Sequence, residues 1–309
     1  MLNTFHLRTF LAVAEAGNYS LAATTLHMTQ PAVSQQIHAL EEQLGGTRLF
    51  QRVGQRMVPT PAGEELLLSA RELVRLAERV EQDILALRGQ VAGRVALGCT
   101  PSSGERLLPR LLAAFREQFP AVGLEVTVAP AEELIDALAE RAVAIVIVEE
   151  QQRRRGLEAT PLGSEPLVLL APNGHPLLKQ EQVPPGVLRE LPLALPRRGA
   201  PMRRVVEEAL RRRGVLAADL RPALESDSVT TLIQAARSGL GLAFVPRSCA
   251  PVRGEGLGTV DLAGQPIILD WFVVRARERG TPAAVRALHD FLTGTKARAV
   301  LARAGIAAP

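Results

Sequence analysis

Residues 10–52, FLAVAEAGNYSLAATTLHMTQPAVSQQIHALEEQLGGTRLFQR, decide the fold of the N-terminal part of the chain. Apolar residues in and around this stretch recur at helical spacing and are punctuated by turn residues. His6 to Ala16 places Leu7, Phe10, Leu11 and Ala14 on one face, and Gly17 stops it. Ser20 is expected to cap a second helix, Leu21 to Leu26, and Thr29 a third, in whose first turn Pro31 is tolerated. Val33, Ile37, Leu40 and Leu44 form the buried stripe of the third helix, which Gly45 ends. Leu49-Phe50, Val53-Gly54 and Met57-Val58 then read as two short strands around a tight turn. Three helices and a β-wing result.

From Pro61 to Arg88 one long helical pattern follows. Leu66, Ala70, Leu73, Ala77, Val80, Ile84 and Leu87 alternate spacings of four and three, a heptad seam among polar neighbours. A seam this narrow is buried either inside one monomer or in a dimerising coiled coil, and the second is the expectation. Gly89 and Gly93 mark its end and a hinge. Beyond them strands and helices alternate. Strands are expected at Arg94–Cys99, Leu124–Val128, Val143–Val148, Leu167–Ala171, Leu193–Leu195, Ala243–Val245 and Ile267–Val274. Helices are expected at Ser103–Phe119, Glu132–Glu140, Pro201–Arg213, Asp227–Ser238 and Pro282–Leu292. Repeated βα units imply open, mostly parallel sheets whose ligands lie beyond the strand C-termini, here in two α/β subdomains.

Composition agrees with a soluble, well-packed protein. Of 309 residues, 47% are hydrophobic, which excludes wholesale disorder. The longest apolar run, Ala142 to Val148, is strand-sized, so no membrane helix is expected. No basic segment followed by an apolar stretch opens the chain, and the expected location is the cytoplasm. Cys99 and Cys249 make neither a disulfide framework nor a four-ligand zinc site. Net charge is +4, and Lys179 and Lys296 are the only lysines. The arginine excess is equally explained by phosphate contacts and by GC-rich coding.

The tight pair formed by the second and third helices carries the clearest chemistry, that of a helix-turn-helix. Gln30, Ala32, Ser34, Gln35 and His38 lie off the apolar stripe of the third helix. Gln can bond an adenine edge, Ser a base or phosphate, and Ala can meet a thymine methyl. Between Gln43 and Gly63 stand Arg48, Arg52 and Arg56 and no acid, which fits a wing on the phosphate backbone. Enzyme signatures are missing: GxxxxGK, GxGxxG, GxSxG and HExxH do not occur, and the five histidines lack ligand spacing. No catalytic residue, metal site or cofactor is expected.

The quoted stretch closely resembles the winged helix-turn-helix of LysR-type transcriptional regulators. Phe10, Gly17, Ala22-Ala23, Leu26, Gln30-Pro31-Ala32-Val33-Ser34, Leu40-Glu41, Leu44-Gly45, Leu49-Phe50, Arg52 and Thr60-Pro61-Ala62-Gly63 carry the likeness. LLPRLLAAFREQFP and SGLGLAFVPRS extend it to the family's effector domain, and Ser102 to Pro109 is similar to the carbon-fixation branch. The resemblance implies an all-α winged helix-turn-helix at 1–60, a coiled-coil linker at 61–90 and an α/β, periplasmic-binding-protein-like effector domain at 91–309. Subdomain I would hold 91–162 and 267–309, and subdomain II 163–266. It also implies operator DNA, a small effector, dimers that pair into homotetramers, and contact with RNA polymerase. DNA contacts fall to Ser20, Thr29, Gln30, Pro31, Ala32, Ser34, Gln35, His38, Arg52 and Arg56.

Matching the effector cleft gives Thr100, Ser102 and Ser103, Pro130 and Ala131, Arg197 and Arg198, and Ser226 and Ser228. Hydroxyls, helix N-termini and arginines suggest an anionic metabolite. Three departures stand out. Gln35 follows the recognition serine where relatives often carry Arg, His27 and Met28 are unusual in the turn, and Ala144 replaces the usual Asp. Between Arg197 and Arg213 lie seven arginines, of which Arg203, Arg204 and Arg211 to Arg213 are expected to point outward. The cysteines read as buried, inert thiols rather than a redox pair. A transport solute-binding protein and an enzyme with a DNA-binding module are the other readings. The helix-turn-helix and the lack of a leader argue against the first, and the empty motif search against the second.

Overall fold

Asparagine and threonine side chains start the first three helices. The computed structural model describes residues 2–87, 90–152, 154–251, 256–277 and 281–307, which pack as two units, Met1–Gly89 and Gln90–Pro309. In the first unit Asn3 caps α1 (Thr4–Ala16), and Gly17, at φ 60°, closes it by donating its N–H to the Val13 carbonyl. Asn18, not Ser20, caps α2 (Tyr19–Thr25): its Oδ1 accepts from the Ser20 and Leu21 amides at 2.7 and 3.3 Å. Ser20 is thereby moved into the first turn, because the helix begins two residues earlier than its apolar pattern. Thr29 caps α3 (Gln30–Gln43) as expected.

The wing is the antiparallel pair β1 (Phe50–Val53) and β2 (Arg56–Pro59), with Phe50 opposite Pro59. Leu7, Phe10 and Val13 meet Val33, Ile37 and Leu40 in one buried cluster, and Phe50 stacks 5.1 Å from Phe10. The Met57 amide donates to the Gly17 carbonyl at 2.8 Å, tying the wing to the turn after α1. The long helix α4 (Pro61–Leu87) enters this core with Leu66, Ala70 and Val74. Gly63 is required there, since a Cβ would collide with the Leu49 carbonyl. Further along, Leu73, Leu76, Val80 and Ile84 stand exposed in the chain. Arg88 and Gly89 lie outside the described residues, as does the side chain of Leu87.

In the second unit, β3 (Gly93–Cys99), β4 (Val122–Val128) and β5 (Ile145–Val148) are parallel, in the order β4-β3-β5. They alternate with α5 (Pro101–Gln118) and α6 (Ala131–Ala139). A second parallel trio, β9 (Leu242–Pro246), β7 (Pro192–Leu195) and β8 (Arg221–Glu225), alternates with α7 (Pro201–Arg211) and α8 (Val229–Arg237). The expectation of mostly parallel sheets needs correction where the trios join. There β6 (Leu157–Pro172) and β11 (Ile267–Ala276) run antiparallel to each other and to their outer neighbours, because one carries the chain out and the other brings it back. β6 is sixteen residues long and passes through position 163 without a break. β10 (Leu257–Val260) pairs with its far end, and α9 (Ala283–Thr293) and α10 (Thr295–Arg303) complete the unit. β8, β10 and α10 lie where no element was expected.

Candidate functional sites

The exposed face of α3 follows from its buried one. Val33, Ile37 and Leu40 face the core, so Gln30, Ser34 and His38, each four residues apart, and Gln35 beside them are exposed. Ser20, Thr29, Pro31, Arg52 and Arg56 are exposed too, and Ala32 is half-buried. Two contacts hidden from sequence reasoning hold this face. Glu41 is buried and its Oε1 accepts the Leu49 amide at 2.9 Å, fixing the end of α3 to the start of the wing. Thr9 on α1 donates its hydroxyl to the Gln36 side chain. In the wing Arg52 reaches the Gly54 carbonyl at 3.2 Å, whereas Arg48 just before it pairs with Glu41 at 3.7 Å. No acidic residue separates Glu42 from Glu64. A hydrogen-bonding helix face beside an arginine-bearing hairpin suits a groove edge and a phosphate backbone.

In the second unit the expected effector residues sit where the parallel strands end. Thr100 follows β3, Pro130 and Ala131 follow β4, Arg197 and Arg198 follow β7, and Ser226 and Ser228 follow β8. Their surroundings differ from expectation. Thr100, Ser102 and Ser103 are buried, and Thr100 makes no capping hydrogen bond to its own helix. Thr100 Oγ1 instead donates to Glu149 Oε1 at 2.9 Å, and Ser102 Oγ donates to the same oxygen. Glu149 follows β5, is 4% exposed, and leaves Oε2 buried without a hydrogen-bond partner among the described residues. An unmatched buried acceptor costs about 1–3 kcal/mol. Burial pushes the Glu149 pKa up, against the pull of the Ser102 and Thr100 hydroxyls. The structure thus puts a carboxylate of the chain where the sequence places the ligand's anion.

The opposite trio shows the same pattern. Glu105 on α5 accepts from the Thr230 amide at 2.9 Å, the Thr230 hydroxyl at 2.7 Å and the Ser228 hydroxyl at 3.2 Å. It occupies the N-terminus of α8, where Ser228 also caps the Thr231 amide. Glu150 reaches Arg204 on α7 at 2.8 Å, and Arg106 donates to the Ser248 carbonyl at 3.0 Å. These three contacts bridge the two trios. Arg197 lies exposed, 3.4 Å from Asp227, and Arg198 is exposed beside it. Glu105, Glu149 and Glu150 were missed by sequence reasoning. The available signal was a pair of acids immediately after the apolar run Ala142 to Val148, at the C-terminal end of a buried strand.

Arg203 also departs from expectation. It is 1% exposed rather than outward, donating to Glu207 at 2.5 Å, the Pro196 carbonyl at 2.9 Å and Glu225 at 3.0 Å. It holds the ends of β7 and β8 to α7. Arg204 and Arg211 to Arg213 remain partly or fully exposed. Cys99 and Cys249 are free and buried, and burial pushes each thiol pKa up to about 11. A separate cavity of about 490 Å³ lies between β6, β9, β10 and the start of β11, and none of the expected effector residues lines it. No described helix is long and apolar enough to cross a membrane.

Comparison with known proteins matches residues 5–64 to the bacterial regulatory helix-turn-helix protein model of the lysR family, and residues 88–297 to the LysR substrate binding domain. The RuBisCO operon transcriptional regulator of Allochromatium vinosum is 31% identical over 294 residues, 94% of this chain and 96% of that protein. The HTH-type transcriptional regulator CbbR of Xanthobacter flavus is 32% identical over 289 residues, 93% of this chain and 86% of that one. Among solved structures, full-length CbnR complexed with its target DNA superposes with TM-score 0.66 at 25% identity, covering 94% of this chain and 99% of that one. An OxyR mutant of Corynebacterium glutamicum gives TM-score 0.68 at 26% identity, over 98% and 96%. Helix-turn-helix, wing and paired α/β trios are all accounted for by these matches, and the chain belongs to the LysR family of DNA-binding transcriptional regulators, which are not enzymes.

Proposed function

We propose that this regulator works in the bacterial cytoplasm as a dimer, paired into a homotetramer on operator DNA, and that a small anionic effector held between its two α/β trios changes how it grips that DNA. Residues 1–60 would read DNA, 61–90 join two copies, and 91–309 sense the effector, with 91–162 and 267–309 facing 163–266. Contacts to DNA would come from Ser20, Thr29, Gln30, Pro31, Ala32, Ser34, Gln35, His38, Arg52 and Arg56. The observation that carries the reading is the exposed face of α3, which holds no Asp, Glu, Lys or Arg from Gln30 to Leu40, beside the acid-free arginine wing. The effector would lie among Thr100, Ser102, Ser103, Pro130, Ala131, Arg197, Arg198, Ser226 and Ser228. Glu149 occupies the hydroxyl end of that cleft, so the charged group of the effector belongs at the Arg197 and Arg198 end. An effector acts only by binding one conformation better than the other. The names of the relatives favour carbon-fixation operons as the first targets to try, with RNA polymerase as the partner at the promoter.

The test is the double variant Gln30→Ala, Ser34→Ala. Both side chains are exposed, so melting should not move, whereas loss of base contacts should weaken operator binding by about 10- to 100-fold and leave nonspecific binding intact. Normal operator affinity in the variant would refute the assignment of α3 as the reading helix.

A further inference from the structure

We infer that Glu149 sets the chemical class of the effector: the cleft end formed with Thr100, Ser102 and Ser103 takes a hydrogen-bond donor, so the effector is an anion that also carries a hydroxyl or an ammonium group. The inference rests on the effector reading above and deepens it. A hydroxyl has one proton to give. That of Thr100 goes to Glu149 Oε1, as does that of Ser102, and that of Ser103 goes to the Thr100 carbonyl at 3.1 Å. What these side chains still offer a ligand is lone pairs, together with the unpartnered Oε2 of Glu149. A bare carboxylate or phosphate would meet acceptors and, once Glu149 is ionised, a like charge. A hydroxyl or ammonium would supply the proton that Oε2 lacks.

Position supports the same reading. Glu149 stands directly beyond the C-terminal end of β5, where ligands of parallel sheets bind. The next residue, Glu150, already crosses to Arg204 in the other trio, so Glu149 lies at the seam between them. Among the described residues the charged and titratable groups that act on it or that it acts on are Glu150 on the same loop, Cys99 at the end of β3 and Arg204 on α7, which Glu132 at the start of α6 also influences. Arg204 is engaged by Glu150, and the Cys99 thiol is held neutral by burial.

The experiment measures binding of matched anion pairs to the full-length chain: malate against succinate, glycerol 3-phosphate against propyl phosphate, and serine against propionate. Trp271, the only tryptophan, is buried in the 90–309 unit and reports its melting. In at least one pair the member bearing the donor should bind about tenfold tighter or more than its partner. Its affinity should rise with pH as Glu149 ionises. In Glu149→Gln that discrimination and its pH dependence should collapse while the ligand-free protein still melts cooperatively. Equal binding within every pair that binds, or discrimination that survives Glu149→Gln, overturns the inference and leaves the effector reading standing. So does a bare anion whose affinity falls as pH rises, because Glu149 would then be a neutral acid donating to it. If no member of any pair binds, the effector reading falls and takes this inference with it.

Discussion

Arg203 shows how much a single residue in this fold depends on its helix. Its guanidinium is buried, two carboxylates and one carbonyl hold it, and Nη2 has no partner among the described residues. Replacing it with Ala strands Glu225 and Glu207 beside an empty site and should destabilise the 90–309 unit by about 3 kcal/mol, toward the lower end for a broken buried pair because both partners keep some solvent. Urea unfolding followed through Trp271 measures it, and a loss below about 1 kcal/mol would show the pair to be dispensable. The position was legible: Arg203 lies three and seven residues before Val206 and Leu210, on the buried face. Its residue type hid it, because an arginine among seven reads as solvated. The burial of both cysteines was legible from their apolar neighbours. At a pKa of about 11, each thiolate is about one part in ten thousand at neutral pH. Operator binding by Cys99→Ser, Cys249→Ser should therefore respond to hydrogen peroxide no differently from the parent, and a response lost in the variant would give the thiols a sensing role.

At the scale of elements, α4 divides its apolar surface between two tasks. Ala70 and Val74 are buried under α1, and the Arg8–Glu78 ion pair at 3.3 Å fastens the two helices. Leu73, Val80 and Ile84 of the heptad seam, with Leu76, are exposed among the described residues. On the proposed reading a second copy covers them and makes the coiled coil. Burial of one such side chain contributes about 1.5–3 kcal/mol, and a dimer counts it twice. Val80→Glu should then raise the dissociation constant of the dimer by about a hundredfold or more. Light scattering at low concentration reads the mass, and an unchanged mass would refute the seam. Periodicity showed this helix to within a residue at its start. It could not show that Ala70 serves the inner core while Leu73 does not, because both satisfy a 3-4 spacing. β6 was legible only in part. Leu167 to Ala171 is an apolar run, whereas the ten residues before it carry Pro161, Gly163, Glu165 and Pro166 and form a strand only because β11 pairs with them. Such pairing is a long-range fact that no local pattern contains.

For the whole molecule, the carboxylates divide by environment and so set how stability varies with pH. Glu208, hydrogen-bonded by Arg211 and Arg212, has its pKa lowered to about 2, so its contribution is present above the usual carboxylate range and fades as pH falls toward that value. Glu149 and Glu165 go the other way, raised chiefly by burial. A raised acid binds more protons folded than unfolded between its two pKa values, so stability falls as pH rises through that window. Below about 4.5 both states are protonated and the penalty is absent; above the raised value it is complete. Glu149→Gln removes the ionisation and keeps the shape. The unfolding free energy of the variant should therefore gain on the parent as pH climbs from about 4.5 toward 8, with Glu165 and Glu208 common to both. Melting followed through Trp271 across that range checks it. Parallel curves would mean that Glu149 keeps the same protonation folded and unfolded, and that the hydroxyls of Thr100 and Ser102 fully offset its burial. The same comparison separates the molecule's own charge balance from any ligand, since none is added. The sequence marked the hydroxyls of this cleft and left its acids unread, because Glu149 and Glu105 gain their meaning only from helices and strands distant in the chain.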